Sequence, residues 1–142
     1  MSLTIIGAKN IKKIKDENVI FKGFINKTKK IDEKKLIKII SSSNFNLLFS
    51  KAEAYGIVLV ESISLGTPNV TYDVGGISEI VKNKKSGLIY NKKVKLNKIA
   101  DDIIKIYNDK KKYKKLCYKS LDYFKKKFDY NNIRSKLLDE IK

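Results

Sequence analysis

Glu53 and Glu61 stand eight positions apart in EAYGIVLVESISLG (53–66), a block otherwise almost wholly apolar. Ionised carboxylates accept hydrogen bonds from hydroxyls, and a glycine between them, Gly56, lets backbone N–H groups come close to a ligand. If Gly56 opens a helix, those N–H groups sit at the end carrying partial positive charge, which suits phosphate or sugar oxygens. Two acids around such donors suggest a polyol joined to phosphate. A second reading stays open for Glu61. Leaving a carboxylate unpaired among apolar side chains costs roughly 1–3 kcal/mol, so Glu61 either sits at the rim of the helix, pairs with a lysine, or serves a ligand.

Positioning these groups requires strands and helices in alternation. LTIIG (3–7), NVIFKGF (18–24), FNLLFS (45–50) and NVTYDV (69–74) read as buried strands, and SGLIY (86–90) as a short last one. DEKKLIKIISSS reads as a helix with Asp32 at its N-cap and Leu36, Ile37 and Ile40 on one face. IVLV alone is as good a strand as a helix. The distance from Gly56 to Gly66, closed by Pro68 and lying between two strands, fits the crossover helix of a βαβ unit. ISEIVKN (77–83) then gives a short helix, and LNKIADDIIKIYND, KKYKKLCYKSLDYFKKKF and YNNIRSKLLDEI give a helical tail, about 95–141. The expectation is an α/β fold: a Rossmann-like parallel sheet, about 3–90, flanked by helices, with the C-terminal helices packed back on it as one domain over 1–142. Glu53 then follows the third strand, at the carboxyl edge where open α/β sheets bind ligands.

Composition narrows the chemistry. The 142 residues carry 32 basic against 15 acidic side chains, a formal charge of +17. Such charge attracts phosphate backbones and anionic lipid, yet Arg134 is the single arginine, and nucleic-acid readers lean on the guanidinium for bidentate contacts. A basic nucleic-acid-binding module is therefore the weakest of the alternatives, and the lysine runs 110–115 and 125–127 read as solvated faces or a lipid-facing surface. No histidine occurs, which removes the usual base of a serine or cysteine triad. Cys117 is alone, so no intrachain disulfide forms. Asp101–Asp102 lies in a helical pattern and reads as solvated face, so no metal is expected. No stretch is apolar enough for a membrane span, and the expected location is cytoplasmic, with the inner face of the membrane open as an address.

FSKAEAYGIVLVESISLGTPNVTYDVGGISEIVKNKKSGLIY (49–90) resembles the donor-binding segment of GT-B glycosyltransferases of the large retaining family 4. The motifs that carry the likeness are E-x7-E at Glu53 and Glu61, the G-x-P turn at Gly66–Pro68, and G-G-x-x-E-I-V at Gly75, Gly76 and Glu79. LTIIG, VIFKGFI and KKFDYNNI resemble weaker flanking blocks. The resemblance implies a nucleotide-diphosphate sugar as donor and a saccharide or lipid-linked acceptor, with no cofactor. It gives Glu53 a catalytic and sugar-holding role and the main chain at Tyr55, Gly56 and Ile57 a place on the sugar. Glu61 would hold the ribose, and Lys22, Gly23 and Phe24 would lie near the base. Ala54 and Tyr55 replace the family's Gly or Pro and Phe, and Ser62 and Ser64 its small alanines. In the family, an Arg and a Lys that clamp the diphosphate and an acceptor-binding domain precede the strand that LTIIG matches. The expectation is thus a partial enzyme, inactive alone, completed in cis or by a complementing subunit, with an acceptor domain as partner beside the sugar nucleotide.

Overall fold

The computed structural model describes residues 2–8 and 14–129. The chain forms two compact units, Met1–Ile39 and Ile40–Lys142.

In the first unit β1 (Leu3–Ile6) pairs in parallel with β2 (Val19–Gly23), Leu3 opposite Val19 and Ile5 opposite Phe21. The register slips after Ile5, so that Ile6 meets Gly23, and the Gly7 N–H donates to the Gly23 carbonyl at 2.7 Å. Helix α1 (Lys30–Ser42) begins here and runs past the boundary of the unit. Two expectations for α1 are corrected. Asp32 does not cap it: the helix is already under way at Lys30, and the Lys29 carbonyl accepts from the N–H groups of Asp32 and Glu33. Both acids lie in the first turn, where the helix dipole favours negative charge. Ile37 does not share the buried face, being 45% exposed while Leu36 and Ile40, four residues apart, are buried.

The second unit holds β3 (Asn46–Leu48), α2 (Ile57–Ser64), β4 (Asn69–Tyr72), α3 (Ile77–Ile80), β5 (Gly87–Tyr90), α4 (Leu96–Asn108) and α5 (Lys110–Lys127). Its three strands run in parallel in the order β3-β4-β5. The central strand separates two apolar clusters by simple alternation. Val70 packs with Leu88 of β5 and with Ile99 and Ile103 of α4. Asn69 faces the other way, and its Nδ2 donates to the Leu59 carbonyl of α2 at 2.9 Å. On that side Leu59 and Ile63 meet Val74, Ile77 and Ile80, with Tyr123 and Phe124 of α5 laid against them. Full burial of each large aliphatic side chain contributes about 1.5–3 kcal/mol, which is what holds an eight-residue helix too short to persist alone. IVLV is therefore helical, as its bracketing by strands predicts.

The helical tail packs back within this unit: α4 covers the sheet and α5 lies on α2. Asp109 separates the two helices and caps α5, its Oδ1 accepting from the Lys112 N–H at 3.0 Å. Asp102 is not simply solvated face. Its carboxylate takes hydrogen bonds from Lys98 Nζ at 2.6 Å and from the Tyr90 hydroxyl at 3.2 Å, tying α4 to the end of β5, while Asp101 is exposed. The helix expected over 130–141, and most of KKFDYNNI, lie outside the described residues.

Candidate functional site

Because β3, β4 and β5 are parallel, the segments 49–56, 73–76 and 91–95 all leave from one edge of the sheet, the carboxyl edge. Glu53 lies in the first of these segments, half-buried. The second comes against it through two glycines. Gly75 has φ +53°, and a Cβ there would overlap the Glu53 carbonyl oxygen. A Cβ on Gly76 would lie 2.7 Å from the Ala54 carbonyl oxygen, to which the Gly76 N–H donates at 3.2 Å. Only a residue with no side chain permits both that backbone twist and that approach. The paired glycines thus hold the Glu53 loop from behind.

On its other side the Glu53 side chain reaches Gly56. A Cβ at Gly56 would come within 3.5 Å of Glu53 Cγ and 3.0 Å of Leu59 Cδ1. Gly56 is left-handed, φ 76° and ψ 57°, and turns the chain into α2; no side chain caps the helix there. The residues that flank Gly56 are exposed, Tyr55 by 44% and Ile57 by 65%. Glu53, Tyr55, Gly56 and Ile57 therefore form one continuous rim.

Glu61 lies four residues beyond Ile57, on the same side of the helix one turn further in, about 6 Å along the axis. It is half-buried with its Oε2 oxygen buried, on the boundary between the buried Leu59, Ser62 and Ile63 and the exposed Ile57 and Leu65. The Ser64 hydroxyl donates to the Glu61 carbonyl at 2.7 Å, a bond made within the helix itself. Ser62 likewise bonds the Thr67 carbonyl at 2.7 Å and closes the G-x-P turn. Lys22, Gly23 and Phe24 belong to the first unit, where Lys22 is exposed, Gly23 ends β2 and Phe24 is 84% exposed.

Two features of this edge went unread in the sequence. Gly75 and Gly76 stood out as a motif, not as the wall of the site. Lys92, just after β5, donates from Nζ to the Lys51 carbonyl and so joins the third segment to the first. Its signal was available, since every loop that follows a strand of a parallel sheet reaches the same edge. Tyr90 closes β5 beside them; burial first, and then Asp102, push its phenol up to about 12, so that it stays a neutral donor. Among the described residues no three His, Cys, Asp or Glu side chains gather in metal-binding geometry.

A family model described as glycosyl transferases group 1 matches residues 2–121. An uncharacterized glycosyltransferase of Methanocaldococcus jannaschii is 36% identical over 75 residues, which is 52% of this chain and 18% of that protein. Among solved structures, sucrose-phosphate synthase from Thermosynechococcus elongatus superposes with a TM-score of 0.76 at 20% identity, over 99% of this chain and 38% of that one. Anabaena HepE in complex with UDP-glucose does so with a TM-score of 0.70 at 21% identity, over 89% of this chain and 32% of that one. The chain thus spans well under half the length of each of these proteins.

Proposed function

The chain belongs to the glycosyl transferases of group 1, and from that premise we propose that it is the donor-binding, C-terminal half of a GT-B enzyme of the retaining family 4 type. The donor is a nucleotide-diphosphate sugar. One observation carries this reading: Glu53, Gly56 and the Gly75–Gly76 pair are packed together at the carboxyl edge of a parallel sheet. HepE, of similar fold, was solved with UDP-glucose, which supports a sugar nucleotide as the class of ligand.

In this reading Glu53 accepts hydrogen bonds from hydroxyls of the transferred sugar, and the backbone N–H groups around Tyr55, Gly56 and Ile57 meet the sugar and the β-phosphate. Glu61, a turn deeper, takes the ribose hydroxyls. The dipole of α2 steadies negative charge as the diphosphate departs. Catalysis is then positioning and electrostatics, with no metal and no covalent step assigned to the protein. Transfer to a saccharide or lipid-linked acceptor belongs to the whole protein, with an acceptor domain supplied in cis or in trans and the reaction running on the cytoplasmic side.

Calorimetric titration with UDP-glucose and with UDP tests the two acids separately. A hydrogen bond to a charged group is worth about 1.5–3 kcal/mol, or roughly ten- to a hundredfold in affinity. Glu61→Ala is expected to weaken both ligands by that factor. Glu53→Ala is expected to weaken UDP-glucose and leave UDP unchanged. Equal loss for both ligands in Glu53→Ala removes its sugar-holding role, and no loss in either variant removes the reading.

A further inference from the structure

Helix α5 carries a face that the donor site does not use. Its sequence, KKKYKKLCYKSLDYFKKK, is lysine at half its positions and acidic only at Asp122. At 100° per residue Lys111, Lys114, Lys115, Tyr118, Asp122 and Lys125 share one stripe, opposite the buried Leu116 and Ser120. All six are exposed, and Tyr118, in the middle of the stripe, is 75% exposed. The lone acid is already matched, since Asp122 Oδ2 lies 2.8 Å from Lys126 Nζ. Beside the stripe is a hollow of about 290 Å³ lined by Lys85, Lys119, Asp122, Tyr123 and Lys126. Lys85 stands in the turn before β5, so the hollow belongs to the amino edge of the sheet, away from the strand ends that carry Glu53.

We propose that this face of α5 docks on an anionic phospholipid bilayer, with the hollow between Lys85 and Lys119 taking a lipid phosphate and the Tyr118 ring seated at headgroup level. Charge complementarity carries the argument. Flexible ammonium groups suit the diffuse negative potential of an anionic leaflet, and an exposed tyrosine among them is the residue type that settles at a membrane–water boundary. A nucleic-acid face of this size would call on guanidinium groups, and the sequence has only Arg134. Since the apolar side of α5 is committed to α2 and its neighbours, the helix lies on the surface and does not insert. Binding is therefore reversible by salt.

Co-sedimentation of the full chain with vesicles tests this. Vesicles of equal parts phosphatidylcholine and phosphatidylglycerol are expected to bind it at low salt and release it at high salt, and pure phosphatidylcholine to leave it in solution. A lysine near an anionic leaflet is worth on the order of fivefold in affinity. The combined variant Lys111→Gln, Lys114→Gln, Lys115→Gln and Lys119→Gln should lose at least a hundredfold, by that rule. The combined variant Lys29→Gln, Lys30→Gln, Lys34→Gln and Lys35→Gln has the same net charge and should lose far less. The chain has no tryptophan, so the emission of Tyr118→Trp should move to the blue only with the anionic vesicles. Equal loss in the two lysine variants, binding to pure phosphatidylcholine, an unmoved emission, or tighter binding to duplex DNA than to vesicles would each overturn the proposal. Both lysine variants and Tyr118→Trp keep Glu53 and Glu61 in place, so failure here leaves the donor reading intact, and failure of UDP-glucose titration leaves this one intact.

Discussion

At Gly75 a single missing Cβ decides the shape of the site. The residue has a left-handed φ of +53°, and any side chain there would run into the Glu53 carbonyl oxygen. Gly75→Ala therefore pays twice, about 1–2 kcal/mol for the left-handed conformation and about 1–3 kcal/mol for forcing the two loops apart. Gly66 separates these terms. Its φ is +75°, yet a Cβ there would meet nothing nearer than the Cys117 carbonyl oxygen at 4.0 Å. Gly66→Ala should carry the conformational cost alone. We expect thermal unfolding to fall by roughly 8–15 °C for Gly75→Ala and by about half as much for Gly66→Ala. Only the first should also weaken UDP-glucose. Matching losses in the two variants would mean that the loops are not in contact.

At the scale of elements, the placement of α2 rests on a buried polar side chain. Asn69 is fully buried at the start of β4, where Nδ2 donates to the Leu59 carbonyl and Oδ1 accepts from Asn46 Nδ2 at 2.8 Å. It links α2, β4 and β3 in one network, and a half-satisfied network is worse than none. Asn69→Ala is expected to cost about 1–3 kcal/mol in urea unfolding. Asn46→Ala should cost less and be non-additive with it, because the two share a bond; full additivity would show that the network carries no coupling. Nothing in NVTYDV announces this role, since an asparagine ahead of a β-branched run reads as a strand boundary. What could be read was the alternation itself: β4 before Gly75, the helix held between Gly56 and Gly66, and the carboxyl edge that puts Glu53 and Gly56 side by side. Local pattern alone puts Asp32 at the cap and Ile37 on the buried face, whereas α1 starts at Lys30 and leaves Ile37 45% exposed. Asp102 looked solvated because its partner Tyr90 is on another element. The approach of Gly75 to Glu53 joins residues far apart in sequence, and periodicity carries no information about such pairs.

Across the whole molecule the governing quantity is charge, 32 basic against 15 acidic residues and a net +17. Two salt effects oppose each other. Screening weakens ion pairs such as Lys98–Asp102, Lys112–Asp109 and Lys126–Asp122, but each has an exposed lysine and lies three or four residues apart on a helix. Pairs of that kind, held on a solvated surface, contribute little. Screening also relieves repulsion among the surplus lysines, which penalises the folded chain because folding brings them together. At 0.01 M salt the Debye length is about 30 Å, enough for most lysines of a domain to feel one another, and at 0.1 M it is about 10 Å. Repulsion summed over so large a surplus outweighs surface pairs of this strength, and the sign follows. Sodium chloride added from the lower to the higher of these concentrations should raise the melting temperature. The lysine-to-glutamine variant of α5 should start higher and gain less, since part of the repulsion is already gone. A melting temperature that falls with salt would mean that the lysines are balanced by acids more thoroughly than the sequence allows.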